Sequence, residues 1–114
     1  MRSSGKAPPP GIVEHIVDVL QALGPVEYQR FFGGWGLRLH GKQFGRVTRS
    51  EELYFSVDAA LRDELITAGC APFSFMKAKG LVVAEKLYSA PPGCVDDADE
   101  LCLWAAKAIR AAGL

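Results

Sequence analysis

Residues 30–48 read RFFGGWGLRLHGKQFGRVT, and the periodicity of this stretch decides the fold class. Trp35, Leu37 and Leu39 alternate with Gly36, Arg38 and His40. A period of two puts one set of side chains on a buried face of a strand and the other on a solvated face. His40-Gly41-Lys42 then supplies a hairpin turn, and a second strand is predicted over about Gln43 to Thr48. Gly33-Gly34 upstream predicts a bulge or sharp bend, where a chain without side chains can turn beside the bulky Phe32 and Trp35.

On the C-terminal side, Ser50-Glu51-Glu52 makes a polar turn. Leu53, Phe55 and Val57 then alternate with Tyr54 and Ser56 in a third strand. Asp58 is placed to cap a second helix, with Leu61, Leu65 and Ile66 facing inward and Gly69 ending it. Phe73, Phe75 and Lys79-Gly80 predict a strand and a turn, and Leu81-Val82-Val83-Ala84 returns toward Tyr88. Pro91-Pro92-Gly93 breaks the chain before a last helix from near Asp97 to about Ala112, with Leu101, Trp104, Ala105, Ala108 and Ile109 as its buried stripe. Asp96, Asp97, Asp99 and Glu100 crowd its start and Lys107 and Arg110 lie near its end, which complements the helix dipole.

On the N-terminal side, Tyr28, Phe31 and Phe32 open a β-rich block that extends from Val26 to Val57. Before it, Ile12, Val13, Ile16, Val17, Leu20 and Leu23 recur at helical spacing, and Gly24-Pro25 stops the helix. Residues 1–10, MRSSGKAPPP, lack the apolar groups that would order them and read as a flexible tail, leaving residues 11–114 as the domain. The predicted order is α-β-β-β-α-β-β-α. Strand runs with hairpin-length turns between single helices imply a two-layer α+β fold, a mainly antiparallel sheet packed by helices.

A chain of 114 residues fits one domain. Its 13 basic residues balance its 13 acidic ones, unlike the positive excess of a strongly basic nucleic-acid binder. Cys70, Cys94 and Cys102 form no CxxC pair, and no apolar leader precedes the domain, so the expectation is three reduced thiols in the cytoplasm. His15 and His40 stand at no metal-ligand spacing from a cysteine, and neither a metal nor a cofactor is expected.

Few residues offer chemistry. Cys70 is the one exposed-looking thiol, and as a nucleophile it would need His15 or His40 as its base. The pairs Glu51-Glu52 and Asp96-Asp97 fall where turns and helix starts carry carboxylates. The glycines of FFGGWG precede a strand pattern, whereas a phosphate-cradling loop needs a following helix. The chain therefore reads as non-enzymatic. One charge feature is uneven: Arg30, Arg38, Lys42, Arg46 and Arg49 occur without an acid between Tyr28 and Ser50, interleaved with Tyr28, Phe31, Phe32, Trp35 and Phe44. Alternation on a half-buried sheet explains that pattern, and a basic face for nucleic acid is the competing reading.

Arg30-Phe31-Phe32-Gly33-Gly34-Trp35-Gly36-Leu37 resembles the RxMFGGxGL signature of the TfoX N-terminal domain family. Matches continue in order at Gly41, Phe44, Leu53-Tyr54-Phe55, Val57-Asp58, Ala68-Gly69, Pro72-Phe73, Tyr88, Pro91, Leu101 and Trp104-Ala105. Phe32 stands where the family usually has Met, and Ser56 where it often has Lys. The resemblance implies a secretion-chaperone-like two-layer domain and a regulatory role of the kind its members play in bacterial competence, where they act with the cyclic-AMP receptor protein. It carries over no catalytic residues, and the second domain of full-length regulators is not expected here. The expected function is a regulatory protein-interaction domain. Its partner is a transcription factor or, by analogy with neighbouring folds, a second copy of the chain. Arg30, Gly33, Gly34, Trp35 and Arg38 are the candidate partner surface. The alternatives are direct nucleic-acid binding through the basic hairpin Arg30–Arg49, and a small enzyme or ligand binder using Cys70.

Overall fold

A computed structural model of the chain describes residues 11–31 and 33–113, so the expected tail, Phe32 and Leu114 lie outside the described residues. The elements are α1 (Gly11–Leu20), β1 (Glu27–Phe31), β2 (Gly34–Leu39), β3 (Lys42–Val47), β4 (Leu53–Ser56), α2 (Ala59–Thr67), β5 (Pro72–Lys77), β6 (Gly80–Ser89) and α3 (Ala98–Ala111). They form an α+β fold with the order anticipated from the sequence and one further strand, β1, where the β block opens. Helix α1 is shorter than its apolar stripe, because its last turn tightens into a 3-10 helix over Gln21–Leu23 before Gly24.

All six strands join one antiparallel sheet in the order β1-β2-β3-β4-β6-β5. Paired residues share a face, so Leu37, Gly45, Phe55 and Tyr88 line up across four strands. Leu37 and Phe55 are fully buried, and this is the face on which the helices pack. Val13, Ile16 and Leu20 of α1, Leu61 and Leu65 of α2, and Leu101, Ala105 and Ala108 of α3 close over it in one core. Burying a side chain such as Phe44 or Phe55 completely contributes about 1.5–3 kcal/mol each.

Two local devices shape the sheet. The β1–β2 turn is a tight hairpin that brings Phe31 opposite Gly34, and Gly33 in it has φ 82°. The paired glycines therefore close a hairpin, where the sequence pattern alone predicts a bulge or bend. The bulge lies instead in β3, where the register against β2 shifts between Leu37 and Arg38. One extra residue there lets Phe44 and Val47, three apart, both bury completely. The next turn has positive φ at His40 (50°) and Gly41 (81°), the backbone of a tight primed hairpin.

The helix termini follow the sequence expectations. Asp58 accepts from the Leu61 amide at 2.9 Å. Asp97 accepts from the amides of Asp99 and Glu100, each at 3.1 Å. Lys107 on α3 reaches Glu64 on α2 at 2.8 Å, tying the two helices at the surface.

Candidate functional site

The sheet has a second face, away from the helices. By register it carries Phe31 of β1, Arg46 of β3 and Tyr54 of β4, with Gly34 and Gly36 between them on β2. The β5–β6 hairpin curls over this face. Its C-terminal end pairs with β4 through Leu87, Tyr88 and Ser89, while its tip pairs only with itself, from Phe73↔Ala84 to Lys77↔Gly80. The register breaks between Pro72 and Phe73, and that irregularity separates the anchored end from the tip. Phe73, Phe75 and Lys77 alternate on β5, so all three share the inner face of the hairpin.

These residues meet Arg46. Its guanidinium lies 4.9 Å from the Phe73 ring centre and 5.4 Å from that of Phe31, so first and fifth strands both stack on one cation. Phe73 packs edge-on against Tyr54 at 5.1 Å and lies 5.6 Å from Phe75, whose ring has Lys77 Nζ 5.7 Å away. Burial pulls Arg46 below its ordinary value, and a guanidinium so perturbed is still a cation at neutral pH. Burial, and then the charge of Glu52, push the Tyr54 phenol up.

Two overlapping cavities lie along this face, of about 590 and 530 Å³, and share Arg46, Phe73 and Phe75. One extends toward Thr48, Arg49 and Ser50, the other toward Lys77. The turn at the first end is held by its own side chains. The Thr48 hydroxyl accepts from the Glu52 amide at 3.1 Å, and Ser50 Oγ donates to the Glu52 carboxylate at 3.2 Å.

The outer face of the same hairpin is apolar. Met76 opposite Leu81 and Ser74 opposite Val83 put Met76, Leu81 and Val83 on one side, at 73%, 62% and 44% exposure. Strand β5 is also an edge of the sheet.

The sequence-derived partner residues do not share one surface. Trp35 lies in the core at 8% exposure, with Arg30 stacked 5.5 Å from its ring on the helix side of the sheet. Gly34 is buried against β3 on the opposite side, while Arg38 donates to the Gly41 carbonyl at 2.7 Å. Gly33 sits in the β1–β2 turn against the Arg49 guanidinium, which a Cβ there would meet at 3.2 Å. The basic residues of Arg30–Arg49 are likewise split between the two faces, with Arg46 and Arg49 alone beside the groove.

Cys70 is half-buried, and burial pushes its thiol up against the opposing effect of a hydrogen bond with Ser89. An activated nucleophile needs the opposite direction. His15 is engaged elsewhere, its Nε2 3.1 Å from the Val95 carbonyl. Among the described residues no three His, Cys, Asp or Glu side chains converge as metal ligands, and no helix is long and apolar enough to cross a membrane.

The model of the TfoX N-terminal domain matches residues 18–112, from α1 to the end of α3. The chain belongs to the TfoX N-terminal domain family. No curated protein matches it. In this TfoX N-terminal domain the matched stretch includes the strands and hairpins that build the groove. The convergence of Arg46 with Phe73 and Phe75 was missed by sequence reasoning. The residues are 27 and 29 positions apart, and alternation predicts which side of its own strand a ring takes, not that one hairpin folds over another.

Proposed function

We propose that this TfoX N-terminal domain is a non-enzymatic regulatory module that acts in transcription control by docking onto a protein partner. The observation that carries the reading is the outer face of the β5–β6 hairpin. Met76, Leu81 and Val83 are exposed together beside an edge strand, and apolar patches of that kind are costly to leave in water without a partner. An edge strand adds unpaired backbone groups that a partner's strand can match. Family membership supports the regulatory part of the reading.

The test is affinity capture from the native cell, followed by binding measurements with the purified transcription regulator recovered. Wild-type domain is compared with a Met76→Ser/Leu81→Ser variant whose fold is checked by circular dichroism. Capture of a transcription regulator by the wild type, and its loss in the variant, is the expected outcome. Equal binding by both would remove the hairpin from the reading. Arg30→Ala, at the other sheet edge, serves as the comparison: loss of binding there instead would return the partner surface to the β1–β2 hairpin.

A further inference from the structure

The geometry points to a second site on the inner face of the same hairpin: we propose that the groove under β5–β6 binds a short single-stranded nucleic-acid segment. Three observations converge. The groove is lined by three cations, Arg46, Arg49 and Lys77, and no carboxylate is among its lining residues. Glu52, in the turn that follows Ser50, accepts from Ser50 and borders a different cavity with Leu53 and Pro91. The ligand is therefore an anion.

Between the cations lie two phenyl rings. Phe73 and Phe75 are 5.6 Å apart and tilted by 31°, and Phe75 is 36% exposed. Neighbouring flat rings on one strand face, flanked by positive charge, suit bases that stack while their phosphates pair with the cations. An acidic peptide would satisfy Arg49 and Lys77 yet leave the rings unused. The cavities of about 590 and 530 Å³ are the size of small-ligand sites, room for one or two nucleotides. Cations at both ends of the ring pair, Arg49 at one and Lys77 at the other, match a strand that carries phosphate on either side of a stacked base. A neutral chain suits such a short local site, where a long duplex would need a wide basic surface.

The test uses fluorescence anisotropy with a labelled oligothymidylate on the full chain at low salt, then at rising salt. Two to three phosphate contacts, at about −0.7 each, predict a log–log salt slope between about −1.4 and −2.1. Phe75→Ala removes one stacking ring and is expected to weaken binding roughly tenfold or more. Arg49→Gln and Lys77→Gln should each flatten the salt slope by about 0.7. All three side chains are on exposed residues, and circular dichroism checks that the variants fold. Thymidine monophosphate and polyglutamate are the comparison ligands. Failure of the oligonucleotide to bind overturns the proposal. So does equal binding of polyglutamate, which would make the groove an acidic-peptide site, or of the mononucleotide, which would make it a free-nucleotide site. Variants that bind like the wild type overturn it as well. Binding lost in Phe75→Ala but kept in Met76→Ser/Leu81→Ser separates this groove from the protein-docking face.

Discussion

Gly34→Ala is a decisive perturbation, because Gly34 is where the start of β2 presses against the end of β3. A Cβ built on Gly34 would stand 2.3 Å from the Val47 carbonyl oxygen and 3.3 Å from Thr48 Cα, both backbone atoms of or beside β3. Ordinary contact begins at 3.4 Å, so β2 and β3 would have to part by about 1.1 Å. Neither atom belongs to a side chain that can rotate away. Overpacking of that kind costs about 1–3 kcal/mol, and stretching a ladder hydrogen bond adds about 1 kcal/mol. A loss of about 3 kcal/mol is expected, which lowers Tm by about 12 °C for a domain this size.

Gly36→Ala is the built-in control, two residues along the same face. Its Cβ would meet Gln43 Oε1 at 2.5 Å, a closeness nearly equal in ångströms. The obstacle there is the end of a flexible side chain. Gln43 can swing aside, and alanine regains about 0.5–1 kcal/mol of strand propensity over glycine. Gly36→Ala is thus expected to change stability by less than about 1 kcal/mol. Urea denaturation followed by the fluorescence of Trp35 and Trp104 measures both. A Gly34→Ala protein within about 0.5 kcal/mol of wild type, or one more stable than Gly36→Ala, refutes the reasoning.

Phe44→Ala should cost about 3–5 kcal/mol by the same assay, since a fully buried ring is replaced by a cavity under α3. Asp97→Ala should cost about 1 kcal/mol, because two first-turn amides of α3 lose their acceptor. Cys94, buried and near Glu100, Cys70 and Asp97, has its thiol pushed up to about 11 from 9.0. The folded state holds that proton more tightly than the unfolded chain does. Its contribution is therefore fully present below pH 9.0 and lost as pH climbs through about 11, which denaturation with and without Cys94→Ala would detect. Met76→Ser/Leu81→Ser should leave stability within about 0.5 kcal/mol of wild type, since both side chains are exposed, and a larger loss in urea would show that the patch packs against the body of the fold.

Much of the fold was legible because its signals are local. Alternation at Trp35, Leu37 and Leu39 marks β2, the spacing of Val13, Ile16 and Leu20 marks α1, and Asp58 and Asp97 mark helix starts through groups within three residues of themselves. Strand β1 was harder. Residues Glu27, Tyr28, Gln29 and Arg30 are all exposed, so an edge strand at the rim of the core carries no hydrophobic alternation to read. The candidate site was less legible still. The sequence pointed to the basic and aromatic residues around the paired glycines, and the fold divides that set, placing Trp35 in the core, Arg30 above it and Arg46 on the far side of the sheet.

Composition and periodicity alone determined that this chain makes a helix-covered antiparallel sheet, because burying one face of each element requires a pattern written residue by residue. Which cations meet which rings was decided only in three dimensions. Sheet twist and the break between Pro72 and Phe73 carry Phe73 and Phe75 back over Arg46. That closure depends on the sum of many strand pairings, a quantity that no single stretch of sequence contains.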